Sequence, residues 1–486
     1  MTPLRAAHWR KMVWDVCAHG IPAGARAPAA AGQSFSHFVF LRDRRMRASS
    51  KHRASRVMSE ECAMEFLEGL VNPGVWDEYY TYCAGRDFIT KTELKSMRRK
   101  IDREEYLPTV TRWLEERHFP PAHRKVISKM GTDKKRIVYT YDAGESLLLK
   151  IVAHHLHEYD GLFAPNLFSF RTDSGVRRAM TYLREQPDMS KRYVYKADIH
   201  DYFNSVDPGR ILPMVRDALG GEPLLCGLIE ELLTNPYVYR DDTLVEERKG
   251  IMAGVPVSSF LANLYLSEMD WHMHREGVLY ARYADDIIVF ADSAEELARH
   301  KAYILDTLER LGLTINPKKE FESLPGEPWT FLGVTCRDGV YDVSEASVEK
   351  MKGKMHRKAR RFRRLITRGK KPLSEEDAIR RFIRVFNIKF YENSSDNELT
   401  WARWFFPIIT TSGSLAVLDR YMVQCARYIR TGKYSKANYR LRYETIKSYG
   451  FRSLVHEYYR GQNGAKETVG RADPAGHPDG DPEEER

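Results

Sequence analysis

Residues 279–291 read Leu279-Tyr-Ala-Arg282-Tyr283-Ala-Asp285-Asp286-Ile-Ile-Val-Phe-Ala291. Two apolar, β-forming runs flank an adjacent pair of carboxylates. The stretch is expected to form a strand, a tight turn and a second strand, with Asp285 and Asp286 at the hairpin tip. A lone Asp-Asp pair usually marks a solvated turn. Apolar strands on both sides argue instead for a buried sheet, where two neighbouring like charges cost stability unless cations sit beside them. Upstream, Tyr193-Val-Tyr-Lys-Ala-Asp198-Ile199 reads as another strand that ends in a carboxylate. Side by side, the two elements bring Asp198 to Asp285 and Asp286. Carboxylates clustered on rigid strands suit hard cations, and two such ions roughly 3.5–4 Å apart drive phosphoryl transfer to a growing strand.

Outward from this hairpin, Ala294 to Leu311 reads as a helix stopped by Gly312, and Trp329-Thr-Phe331-Leu332-Gly333-Val as a strand. Residues 345–460 look helical and basic. On the N-terminal side, residues 59–118 carry helical spacing. Lys134-Lys135-Arg136-Ile-Val-Tyr-Thr-Tyr141 reads as a basic turn entering a strand, and Ser146 to Tyr159 as an amphipathic helix. His154, His155 and His157 lie on that helix without another ligand cluster and are read as surface or packing histidines. Residues 1–57, rich in Ala and Arg, are expected to be a basic, disordered extension. A more protein-like stretch opens at Met58. Residues 461–486 end in GHPDGDPEEER and are expected to be a disordered tail.

The 486 residues suffice for a large core split over two to four subdomains. A net charge of +10 and a pI of about 9.1, with 12% aromatics, favour a polyanionic partner that is both neutralised and stacked upon. The six cysteines include no CxxC pair, which argues against zinc knuckles and a disulfide framework and for a reducing cytoplasm. There is no run of 18 apolar residues and no signal peptide, so no membrane association is expected.

Several blocks together now point one way. Tyr283-Ala284-Asp285-Asp286 resembles the YxDD box of reverse transcriptases. Asp198-Ile-His-Asp-Tyr-Phe203 resembles the first catalytic block of their palm. Gly250-Ile-Met-Ala-Gly254-Val-Pro-Val-Ser258-Ser-Phe-Leu-Ala262-Asn263-Leu-Tyr-Leu266 resembles the block ending SPxLANxYL. Leu313-Thr-Ile-Asn316-Pro-Lys-Lys319 resembles LxxNxxK, and Phe331-Leu332-Gly333 the primer-grip turn. The blocks follow the family's order, and the resemblance covers residues 117–340. Two departures, Ala253 where the family has Gln and Ser259 where it has Pro, argue against a standard intron-encoded maturase, as does the lack of a C-terminal Cys/His module. The pattern is closer to bacterial reverse transcriptases outside the retroelement lineages, including defence-associated ones.

The resemblance implies an α+β right-hand polymerase. Its helical N-terminal region would be residues 58–116, its fingers and palm 117–340, and its α-helical thumb and C-terminal domain 341–460. It implies Asp198, Asp285, Asp286 and the Ile199 carbonyl as ligands of two Mg2+ ions, with Mn2+ as an alternative. Lys319 would protonate departing pyrophosphate, with Lys318 as a substitute. Lys135, Arg136, Arg171 and Gly254 would contact the dNTP, and Phe203 would act as a steric gate against a 2′-hydroxyl. Phe331, Leu332 and Gly333 would contact the primer.

From Glu345 to Pro372 there are twelve Lys/Arg against two Glu, which suits a helix tracking a duplex backbone through Arg360, Arg361, Arg363 and Arg364. The expected activity is RNA-directed DNA synthesis from dNTPs on an RNA template, one reading being a dedicated non-coding RNA used in anti-phage defence. A protein partner or a homo-oligomer is compatible with this. The alternatives are a template-independent or protein-primed DNA polymerase, an RNA-dependent RNA polymerase, which Phe203 disfavours, and a non-catalytic RNA-binding scaffold, which the intact carboxylates disfavour.

Overall fold

The computed structural model describes residues 65–85, 89, 91–128, 135–172, 174–368, 372–392, 400–433 and 440–469. The expected extension at 1–57 and the tail beyond 469 lie outside the described residues, as does Lys134.

The fold is α+β. After a single helical turn at Phe66–Gly69, three longer helices lead: α1 (Pro73–Ala84), α2 (Lys91–Asp102) and α3 (Leu107–Glu116). Asn72 starts α1 by accepting the Gly74 N–H at 2.9 Å, and Pro73 follows at a position that needs no N–H. Next come β1 (Ala122–Ser128), β2 (Lys135–Thr140), α4 (Ala143–His155), α5 (Val176–Arg184), β3 (Tyr193–Asp198), α6 (Pro208–Leu219) and α7 (Pro223–Thr234). The middle of the chain forms β4 (Tyr237–Arg240), β5 (Thr243–Glu246), α8 (Ser258–Tyr265), α9 (Ser267–Arg275), β6 (Leu279–Tyr283), β7 (Asp286–Ala291) and α10 (Ala294–Arg310). Three short strands, β8 (Phe321–Ser323), β9 (Trp329–Phe331) and β10 (Val334–Arg337), lead to β11 (Val340–Val343). Helices α11 (Glu345–Arg368), α12 (Glu375–Tyr391), α13 (Gly413–Thr431) and α14 (Leu454–Val469) follow.

The central sheet has the order β6-β7-β3-β8, antiparallel throughout. The Ile-Ile-Val-Phe-Ala run of β7 is apolar at every position because both of its faces are covered. Alternation sends Ile287, Val289 and Ala291, with Tyr195, Ala197 and Tyr280, into one core shared with the N-terminal helices. Ile288 and Phe290, with Val194 and Ala281, enter a second core built with Trp329, Phe331 and helices α11 to α14. The C-terminal helices therefore share a core with the sheet instead of forming a separate one.

A second sheet, β2-β1-β4-β5, joins two hairpins through the parallel pair β1–β4. The expected histidine role holds. His155 stacks on Phe66 at 3.8 Å, His154 lies against Tyr82, and His157 faces Asp160. One expectation is corrected: α14 runs to Val469, into the stretch read as a disordered tail. Gln462, Ala465, Lys466 and Glu467 are good helix formers, and the Pro-, Gly- and acid-rich composition begins only at Pro474.

Candidate active site

Asp198 ends β3 and Asp286 begins β7, and the two are paired across the antiparallel ladder. Asp285 stands one residue earlier, in a tight turn made possible by Ala284, whose backbone is left-handed (φ 55°). The Asp285 carbonyl accepts the Ile199 N–H at 3.1 Å, which ties the turn to the end of β3. The Asp198 carbonyl accepts the Asn316 N–H at 2.7 Å, so the LTINPKK segment closes the other side. Carboxylate oxygens of Asp198, Asp285 and Asp286 lie within 4.8 Å of one another.

These acids repel each other. Burial, reinforced by the Asp198 charge, pushes the Asp285 carboxyl above its ordinary range. Burial, with Asp285 and Asp198 adding to it and Lys196 opposing, raises Asp286 to about 6. The Lys196 ammonium stands 3.9 Å from Asp286, and Lys319 forms an ion pair with Asp198. Partly buried, mutually repelling oxygens that recruit two ammonium groups are a donor set suited to hard divalent cations, and the three aspartates fit such ions. Of the two candidate lysines, it is Lys319 whose ammonium reaches the cluster.

Other expected residues fall into two groups. Arg136 lies at the start of β2, exposed, and close enough to Asp285 to favour its charged form. Lys135 is exposed beside it. Phe203 is half-buried and meets Phe170 edge-on with ring centres 6.3 Å apart. Gly254 has φ +99° and lies along β2, where a Cβ would come 3.1 Å from the Tyr139 carbonyl, while the Ala253 carbonyl accepts the Tyr139 N–H at 2.8 Å. The glycine thus lets the loop approach the strand. Gly250, assigned no role from sequence, is tighter: a Cβ there would lie 2.3 Å from the Phe203 carbonyl.

Three expectations need correction. Arg171 does not face an open site. Its guanidinium donates to the Ala164, Leu167 and Asp160 carbonyls at 2.7, 3.1 and 3.3 Å, so it organises its own loop. Phe331 is buried in the second core, because β9 packs that face inward, and only the Leu332–Gly333 turn (φ 49° and 81°) is left to meet a strand. Arg363 donates to the Ile429 and Arg430 carbonyls at 3.3 and 2.7 Å, capping the end of α13 where cations are favoured.

Arg360, Arg361 and Arg364 remain exposed. At 3.6 residues per turn they share an arc of about 100° with Lys350 and Arg357, opposite the buried Met351, Met355 and Phe362.

Beneath the acidic turn lies a polar cluster that sequence reading missed. Arg282 and Asp270, both 0% exposed, form a bidentate ion pair, which Tyr280 joins by donating to Asp270 at 2.9 Å. Arg282 is the one charge in an otherwise apolar and aromatic strand, and that was the signal available.

Residues 127–336 match the family described as "Reverse transcriptase (RNA-dependent DNA polymerase)". Among curated proteins, the retron Ec86 reverse transcriptase of Escherichia coli is 24% identical over 174 residues, covering 35% of this chain and 50% of that protein. The chain thus spans about half the length of the curated relative that it matches. Among solved structures, telomerase from Candida albicans with a TWJ fragment of telomeric RNA has a TM-score of 0.40 at 11% identity, covering 73% of this chain and 64% of that one. Apo telomerase from Candida tropicalis has a TM-score of 0.39 at 11% identity, covering 68% of each chain. Residues 127–336 carry a reverse-transcriptase domain, and the central sheet with its three aspartates is the palm of an α+β right-hand polymerase fold.

Proposed function

We propose that this protein is an RNA-directed DNA polymerase that extends a primer with dNTPs. The observation that carries the reading is the meeting of Asp198, Asp285 and Asp286, with oxygens within 4.8 Å of one another, on two paired strands of a reverse-transcriptase domain. These three side chains, with the Ile199 carbonyl, would hold two divalent ions, Mg2+ being the natural occupant of an oxygen donor set of this size. When bound, the ions supply neutralisation of phosphate charge and activation of the primer hydroxyl.

The remaining roles belong to the chain itself. Lys135 and Arg136 offer charge-assisted donors to the triphosphate, from a strand whose edge is fixed by Gly254. Phe203, held by Phe170 and Tyr202, sets how much room the sugar has. Lys319, whose ammonium reaches Asp198, would stand beside the leaving pyrophosphate as proton donor. The exposed stripe on α11 tracks duplex phosphates through Arg360, Arg361 and Arg364. The Leu332–Gly333 turn supports the primer strand.

No described helix is long and apolar enough to cross a membrane. Four buried, unpaired cysteines, Cys83, Cys226, Cys336 and Cys425, favour work in a reducing cytoplasm. The Ala253 and Ser259 departures favour a role outside retroelements, in anti-phage defence on a dedicated RNA.

The test is incorporation of labelled dNTPs on a primed RNA template with Mg2+. Asp285→Ala with Asp286→Ala should abolish incorporation while melting remains cooperative, and wild-type incorporation by that variant overturns the metal assignment. Equal incorporation without template would favour the template-independent reading. Phage plating with and without the active protein tests the defence role.

A further inference from the structure

The turn that carries Asp285 is held from both ends of one peptide residue. The Ala284 N–H donates to Ser169 Oγ at 2.9 Å, and the Ala284 carbonyl accepts Arg282 at 3.1 Å. Ser169 Oγ in turn donates to Asn263 Oδ1 at 3.2 Å, while Asn263 Nδ2 donates to the Ser169 carbonyl at 2.9 Å. The Asn263 carbonyl accepts a second Arg282 nitrogen at 3.3 Å, and Asp270 neutralises that guanidinium. Ser169, Asn263, Asp270 and Arg282 are all 0% exposed.

This network is costly to build. A buried ion pair seldom stabilises more than apolar residues of the same shape would, so its presence here calls for a reason of geometry. That geometry is visible at Ala284. An L-residue with φ 55° is unfavourable in isolation, and the turn around it leaves a buried N–H and a carbonyl to be matched. Ser169 and Arg282 match both. Because Asp285 follows immediately, a change at Ala284 swings its carboxylate relative to Asp198 and Asp286. The clamp also joins separate parts of the chain: the loop through Ser169, helices α8 and α9, and strand β6. The same loop is stitched to β6 by Asn166, whose carbonyl accepts the Arg282 N–H, and by Phe168, whose N–H donates to the Arg282 carbonyl.

We infer that Ser169 and Asn263 are positioning residues: through the Ala284 peptide they set the separation of the three metal-binding carboxylates. The inference rests on the metal-site reading above. It gives the loop before Arg171 a task in metal binding, exerted through the Ala284 peptide.

The experiment measures binding of Mn2+ alone to the full chain, from the free-ion signal in electron paramagnetic resonance, without nucleotide or nucleic acid. Ser169→Ala should weaken Mn2+ binding by about tenfold, the low end of losses seen when an outer-sphere partner is removed. It should lower the incorporation rate while leaving KM for dNTP unchanged. Ser169→Thr, which keeps the hydroxyl, should stay within about twofold of wild type on this scale. A cooperative melt for each variant separates positioning from folding. If Ser169→Ala does not melt cooperatively, Ser169→Cys takes its place, since a thiol fills the space but is a poor acceptor, and it carries the same expectation. Wild-type Mn2+ affinity in the folded variant overturns the inference alone. Failure of the wild-type protein to bind Mn2+ at all overturns the metal-site reading and the inference with it.

Discussion

Replacing Asp286 by Asn removes one of three repelling carboxylates without changing its shape. The carboxyl is raised from an ordinary 3.8 to about 6, chiefly by burial and then by Asp285 and Asp198. That rise corresponds to about 3 kcal/mol against the charged form. The side chain is 31% exposed, so water screens part of this, leaving about 1–2 kcal/mol. The sign follows from proton binding. Below about pH 4 the group is protonated folded or unfolded and contributes nothing. Between about pH 4 and 6 only the folded state keeps the proton, so the wild-type protein loses stability as pH rises. Above about 6 the full penalty is present. In a metal chelator, Asp286→Asn should therefore melt about 2 °C above wild type at pH 8, and at the wild-type temperature at pH 4. With Mg2+ the order should reverse, because only the intact site gains stability from the ion. Calorimetric melts at several pH values, with EDTA or Mg2+, provide the reading. If the difference between the two proteins is the same at pH 4 and pH 8 in EDTA, burial and the neighbouring aspartates do not disfavour the Asp286 charge as the geometry requires.

Four further outcomes are expected. Binding of Mn2+ without nucleotide should weaken as pH drops through about 6, since protons then compete with the cation for the Asp286 carboxylate, and that limb should move or vanish in Asp286→Asn. Phe203→Ala should lower the ratio of dNTP to NTP incorporation efficiency by about tenfold or more. An unchanged ratio makes Phe203 a packing residue. Arg360, Arg361 and Arg364 changed together to Gln should flatten the dependence of log affinity on log salt for a primer–template duplex by about 2–3, at roughly 0.9 per lost phosphate contact. Arg363→Gln should instead lower the melting temperature with little effect on that slope, because its guanidinium caps α13.

What could be read from the sequence was whatever the chain writes locally. The hairpin at Asp285–Asp286 follows from β-forming runs around a turn, and the end of α10 from Gly312, whose φ is +71°. Order along the chain then placed Asp198 against them. What escaped was set by distant partners. The β4–β5 hairpin is only four residues a side around Asp241-Asp242, and its attachment to β1 is a parallel pairing across more than a hundred residues. Arg171, Arg363 and Phe331 have the residue types expected of ligand contacts. Their actual partners are carbonyls and apolar side chains brought in by folding, which no local spacing encodes. Residues 461–469 were misread because a disordered composition further on was extended back over helix formers.

The two-sided burial of the central sheet bears on how such a catalytic half can be inherited. A polypeptide ending near residue 340 would carry all three clustered aspartates, yet it would split the second core, leaving Trp329, Phe331, Val334 and Cys336 without the apolar side chains of α11 to α14 that share their cluster. Transplanting these acids into another lineage therefore requires the recipient to bring its own apolar helices for the vacated face. Recombination at this seam is filtered first by solubility and only afterwards by chemistry. The helices that follow β11 can diversify their outward, charged side freely, while their inward side stays under the same selection as the palm itself.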